Sequence, residues 1–173
     1  MRKVLLAFLL VGYPVIGCSN QEKHINYTSP SRQEVDDFIS EHNIHPLTIE
    51  ETEDVTILLL QNGIYYLSKN NESDKLVEGY VGWSENDNQK VNLGLSNTGM
   101  PHAHVIINDE RLLDEAKEVK VEFHDGTTVI QPLDGKRGMI LFYDKNKRDL
   151  TIHNELHLTI YNQDGTVIYE DSF

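Results

Sequence analysis

His102, Ala103 and His104 place two imidazoles two residues apart, the spacing that sets both on one face of a β-strand. Imidazole nitrogens bind zinc and copper, and such a pair begins a site that a third donor completes. His124 and Glu122 are the candidates for that donor if the chain folds back onto the pair. One expected function class is therefore a metal-binding protein or metal-dependent hydrolase using His102 and His104, with His124 as a further ligand. The plainer expectation is two solvent-exposed or hydrogen-bonded histidines, so no metal is assigned.

The other chemical candidates weaken when their spacing is examined. His153-Asn154-Glu155-Leu156-His157 has two histidines four apart, as the helical zinc-protease motif does, but its glutamate is one place late. The flanking Thr151-Ile152 and Leu158-Thr159-Ile160-Tyr161 favour a strand, on which residues four apart are about 13 Å apart. Gly94-Leu95-Ser96-Asn97-Thr98-Gly99 lacks the spacing of a nucleophile elbow and reads as a loop. Asp144-Lys145-Asn146-Lys147-Arg148-Asp149 starts like a calcium loop, yet has no turn glycine and carries three cations. Glu50-Glu51 and Glu53-Asp54 border strands and read as solvated ends. None of these constellations is catalytic, and no cofactor is expected. Tyr65, Tyr66, Tyr80 and Trp83 suggest recognition instead, because adjacent tyrosines on a strand point to opposite faces.

The elements that would position these residues are mostly strands. A helix comes first: Ser31 with Glu34 fits a capping box, and Val35, Phe38, Ile39 and His42 recur at helical spacing before Asn43 and Pro46. Segments 55–61 and 64–68 flank Asn62-Gly63, the strongest short hairpin signal. Segment 75–83 follows the 70–74 turn, and 90–95 adds another strand. Segments 119–123 and 127–132 flank Asp125-Gly126, 138–143 reads as a buried strand, and 156–161 and 166–170 flank Gln163-Asp164-Gly165. Only 110–118 looks helical among them. Repeated hairpins with few helices predict a mainly β fold, an antiparallel β-sandwich or partly open barrel with one short N-terminal helix. One domain is expected over 31–173, with a possible subdivision near residue 100.

Upstream, Arg2 and Lys3 precede an uncharged apolar run from Val4 to Ile16, the order of a secretory signal peptide. That run falls short of the ~20 residues a transmembrane helix needs. It leads into Val15-Ile16-Gly17-Cys18-Ser19-Asn20, which resembles the lipobox of bacterial lipoproteins and, with the asparagine and lysine usage, those of Gram-positive surfaces. The resemblance covers only these first residues, and Val15 and Ile16 stand where leucine and a small residue are usual. It implies that residues 1–17 are removed and that Cys18 is diacylated, anchoring the protein on the extracytoplasmic side of the cell membrane. Two acyl chains suffice for stable attachment where one is marginal. Residues 18–30 then form a polar tether.

Cys18 is the chain's one cysteine, so the fold must be held by its core without an internal disulfide. Cleavage before Cys18 leaves 156 residues with 13 basic and 28 acidic side chains, a formal charge of −15. Such acidity disfavours nucleic acid and anionic lipid headgroups, and suits a cationic partner. The expected function is a membrane-anchored, non-catalytic surface lipoprotein that binds an envelope protein or peptide through its sheet edges and loops.

Overall fold

The computed structural model describes residues 26–84, 89–97, 100–143 and 155–172. Cys18, His153 and the 144–149 segment lie outside them. The chain begins with β1 (Tyr27–Thr28), α1 (Arg32–His42), β2 (Thr48–Glu51), β3 (Thr56–Leu60), β4 (Gly63–Asn70) and β5 (Lys75–Gly82). It continues with β6 (Val91–Ser96), β7 (His102–Ile107), α2 (Glu110–Glu115), β8 (Glu118–Phe123), β9 (Thr128–Pro132), β10 (Gly138–Phe142), β11 (Leu156–Tyr161) and β12 (Val167–Ser172).

The protein is mainly β, as its hairpin pattern predicts, and its strands form three antiparallel sheets. Sheet A runs β5-β4-β3-β2, and β1 extends the line of β3 along the far end of β4. Sheet B is β10-β7-β6, and sheet C is β12-β11-β8-β9. Each sheet ends in two edge strands, so the architecture is an open stack and not a barrel.

Alternation of side chains along each strand sets the order of the layers. Leu58 and Leu67 turn one face of sheet A toward Val35 and Phe38 of α1. Ile57, Leu59, Ile64 and Tyr66 turn the other face toward Ile106 and Ile140 of sheet B. Ala103, Val105, Ile107, Met139 and Leu141 on the reverse of sheet B meet Val119, Val121, Leu158 and Ile160 of sheet C. Sheet B is thus covered on both faces, and all six residues of β7 are buried. This explains why residues 102–107 show no alternation in the sequence: a strand with two apolar neighbours has no solvent face.

Several local expectations are met. Ser31 caps α1 by accepting from the Glu34 amide while Glu34 reaches back to the Ser31 amide at 2.8 Å, the reciprocal box its spacing predicts. Lys69 of β4 bonds the same carboxylate at 2.8 Å and, together with Ser31, holds it down at about 2. Gly126 (φ 80°) and Gly165 (φ 73°) occupy the left-handed turn positions assigned to them.

Three expectations are corrected. Tyr27 and Thr28 pair with Asn70 and Lys69, so the last part of the 18–30 tether is a strand of sheet A. The second helix stops at Glu115, not residue 118: Ala116 is extended and Lys117 donates to the Tyr161 carbonyl at 2.8 Å, already in the β8 ladder. Asn62-Gly63 does mark a hairpin, but Leu60 pairs with Gly63, which makes Gln61-Asn62 the turn. Gly63 has no positive φ; an added Cβ there would lie 2.4 Å from the Tyr80 hydroxyl. The glycine is present to receive an aromatic ring.

Candidate functional site

Pairing of β7 with β6 and β10 carries His102 and His104 into the centre of sheet B, on its face toward sheet A. They share that face, as their spacing predicts, but they are 0% and 7% exposed. His102 Nδ1 bonds the Met100 carbonyl at 2.7 Å, which fixes Nε2 as the acceptor ring nitrogen, 3.3 Å from the Tyr66 hydroxyl. The Tyr66 hydroxyl, with one proton to give, donates to Ser96 Oγ at 2.6 Å, the shorter of its two contacts. Ser96 ends β6, so the segment read as a loop is in its first half a strand.

His104 is held differently. Trp83 stacks on it with ring centroids 4.6 Å apart and planes 7° apart, and Gly94, its cross-strand partner, leaves room for the ring. Trp83 is fixed by bonds from Nε1 to the Gln61 carbonyl at 3.1 Å and from its amide to the Asn62 carbonyl at 3.0 Å. Buried His104 Nδ1 has no hydrogen-bond partner among the described residues. Burial, and secondarily the neighbouring His102, lower the His104 pKa from 6.5 to about 4. Burial likewise lowers that of His102 and raises that of the Tyr66 phenol. The pair is neutral inter-sheet packing at neutral pH.

The third proposed donor is elsewhere. His124 is exposed in the turn between β8 and β9, and the Glu122 it accompanies bonds Lys120 at 3.2 Å. Among the described residues, no group of three or more histidine, cysteine, aspartate or glutamate side chains is placed to hold a metal ion. His157 lies on the outer face of sheet C, with Nε2 2.8 Å from Glu170 and Nδ1 3.0 Å from Ser172. Of the four aromatics, Tyr65 packs on Phe38, Tyr66 on His102 and Trp83 on His104, while Tyr80 is 50% exposed over Gly63 and Gly82.

A concavity lies where one edge strand of each sheet meets the others. Contacts of β10 with β2 and with β9 bring the three edges together around a cleft of about 1160 Å³. One wall is Glu50, Glu51, Thr52, Glu53 and Asp54 from sheet A. The opposite wall is Val129, Ile130 and Gln131 of β9, and Ile140 and Phe142 of β10 lie between them with Met100 at the end. Glu50 pairs with Ile57, which puts its side chain on the face of sheet A turned toward sheet B. The acidic pairs line this wall: Glu50 and Glu51 belong to β2 itself, and Glu51 and Glu53 are exposed, as solvated positions bordering strands should be.

Such a cleft joins negative charge to apolar surface and offers strand edges, which is the chemistry of peptide recognition. Its residues are scattered over four chain segments, and the one sequence signal was two acidic pairs directly before an apolar run. Comparison with protein-family models, curated proteins and solved structures returns no match.

Proposed function

We propose that this chain is a lipid-anchored envelope protein whose β-rich body is a non-catalytic binding module, holding a cationic peptide or protein segment in the cleft beside β10. The observation that carries the reading is the cleft's two unlike walls, acidic on β2 and its turn, uncharged with Val129 and Ile130 on β9. A net charge of −13 for the whole chain adds long-range attraction for a basic partner and repulsion of acidic ones.

Titrating the protein with a lysine- and valine-containing hexapeptide, with affinity followed by calorimetry, tests this. Glu50→Lys combined with Glu53→Lys is expected to weaken binding about tenfold, since each partly exposed ion pair contributes about 0.5–1 kcal/mol. Affinity should also fall as salt rises. Unchanged binding in the double variant would remove the cleft from consideration.

The anchor has its own test. Cys18→Ala is expected to abolish incorporation of labelled fatty acid and to leave unprocessed precursor or released protein, read by metabolic labelling and fractionation. Labelling that persists in the variant would sink the assignment of Cys18.

A further inference from the structure

The cleft is the place where sheet B is one strand short. Among the described residues, sheets A and C flank sheet B with four or more strands each, whereas sheet B has three and ends at β10. Stacked sheets lie about 10 Å apart, so β2 and β9 overhang a slot about 20 Å across, the space one strand and its side chains fill. The backbone of β10 is turned correctly for such an addition. Ile107 donates to the Arg137 carbonyl and Tyr143 to the Pro101 carbonyl, both at 2.9 Å. Antiparallel alternation then directs the backbone groups of Met139 and Leu141 to β7 and those of Ile140 and Phe142 outward, into the cleft.

We infer that a ligand peptide adds to β10 as a fourth strand of sheet B, with basic residues on its face toward β2 alternating with apolar residues on its face toward β9. This rests on the cleft being the binding surface proposed above. The alternation follows from the walls: a strand presents successive side chains to opposite sides, here Glu50 with Glu53 and Asp54 on one and Val129 with Gln131 on the other. The length follows from β10, whose five residues match about five or six in the ligand. Affinity comes from main-chain hydrogen bonds and selectivity from the alternating side chains.

The test uses the full-length chain purified in mild detergent and an acetylated, amidated hexapeptide alternating lysine with valine. Amide NMR shifts and hydrogen exchange are followed at Ile140 and Phe142. Those amides are expected to gain protection on binding. Methylating the peptide's alternate amide nitrogens should weaken binding roughly tenfold in one register and little in the other, because only one set of amides faces β10. A block isomer, lysines first and valines after, should also bind roughly tenfold more weakly, because it cannot match both walls. If the block isomer binds as tightly, or methylation in both registers is harmless while cleft residues still shift, strand addition is overturned and cleft binding stands. If no peptide shifts any cleft residue, both readings are overturned together.

Discussion

Acidification from about pH 7.5 to about pH 4 is expected to remove about 3 kcal/mol of folding stability through His104 alone. His104 is neutral and buried in the fold, with its pKa lowered from 6.5 to about 4. Because the unfolded chain binds the proton first, the stabilisation is present in full above the unfolded value of 6.5 and is lost as pH falls toward about 4. Below that value both states are protonated and the loss stops growing. His102, also lowered by burial, acts in the same direction over the same side of 6.5. The carboxylates come later: Glu34 and Asp125 are held at about 2 by their hydrogen bonds, to Lys69 and Tyr143 first, against ordinary values of 4.5 and 3.8. Their contribution is present above those values and is lost as pH falls from about 4.5 toward about 2, so only its first part overlaps the His104 window.

Urea midpoints measured from about pH 7.5 down to about pH 2.5 follow both windows. A His104→Phe variant, which keeps a ring on Trp83 but has no proton to bind and no orphaned Nδ1, should retain neutral stability to within about 1 kcal/mol. It should also lose most of the slope above about pH 4. A native chain whose midpoint is flat between about pH 7.5 and pH 4.5 would contradict the buried neutral state of the pair.

The same residues show what could be read in advance. A shared strand face for His102 and His104 follows from a two-residue spacing, so it was legible. Burial was not, because it depends on sheet A covering β7, and the covering residues Tyr66 and Trp83 belong to another hairpin. Local chemistry was similarly plain at Ser31 with Glu34 and at Gly126 and Gly165, where cap and turn are decided within a few residues. By contrast β2 is a short edge strand with one buried residue, Thr48, and its Glu50-Glu51 pair conceals it from any apolar pattern. The cleft was invisible for a related reason. Its walls come from residues near 50, 130 and 140, and no periodicity links edge strands of three different sheets.

Gly94→Ala is expected to destabilise the protein by about 2 kcal/mol, although adding a methyl to a strand glycine ordinarily gains a few tenths. An ideal Cβ at Gly94 would sit 2.3 Å from His104 Cε1 and 2.5 Å from Nε2. A flexible side chain would move aside, but this ring is stacked under Trp83, which is itself bonded to Gln61 and Asn62 at the β3–β4 turn. To admit the methyl, sheets A and B must part locally. Gly79→Ala is the control, since the nearest atom to a Cβ there is Tyr66 Cβ at 4.0 Å, and it should change stability by no more than about 0.5 kcal/mol. In a His104→Ala background the obstacle is gone, so Gly94→Ala should become neutral or slightly stabilising, a coupling of about 2 kcal/mol in a double-mutant cycle. Strict additivity would mean that the ring yields freely and that the Gly94–His104–Trp83 stack does not set the spacing of the sheets. That spacing also bears on recognition. The slot beside β10 exists only while sheets A and B hold their separation, so Gly94→Ala should weaken hexapeptide binding from about 15 Å away, three strand spacings across sheet B, whereas Gly79→Ala should leave it unchanged.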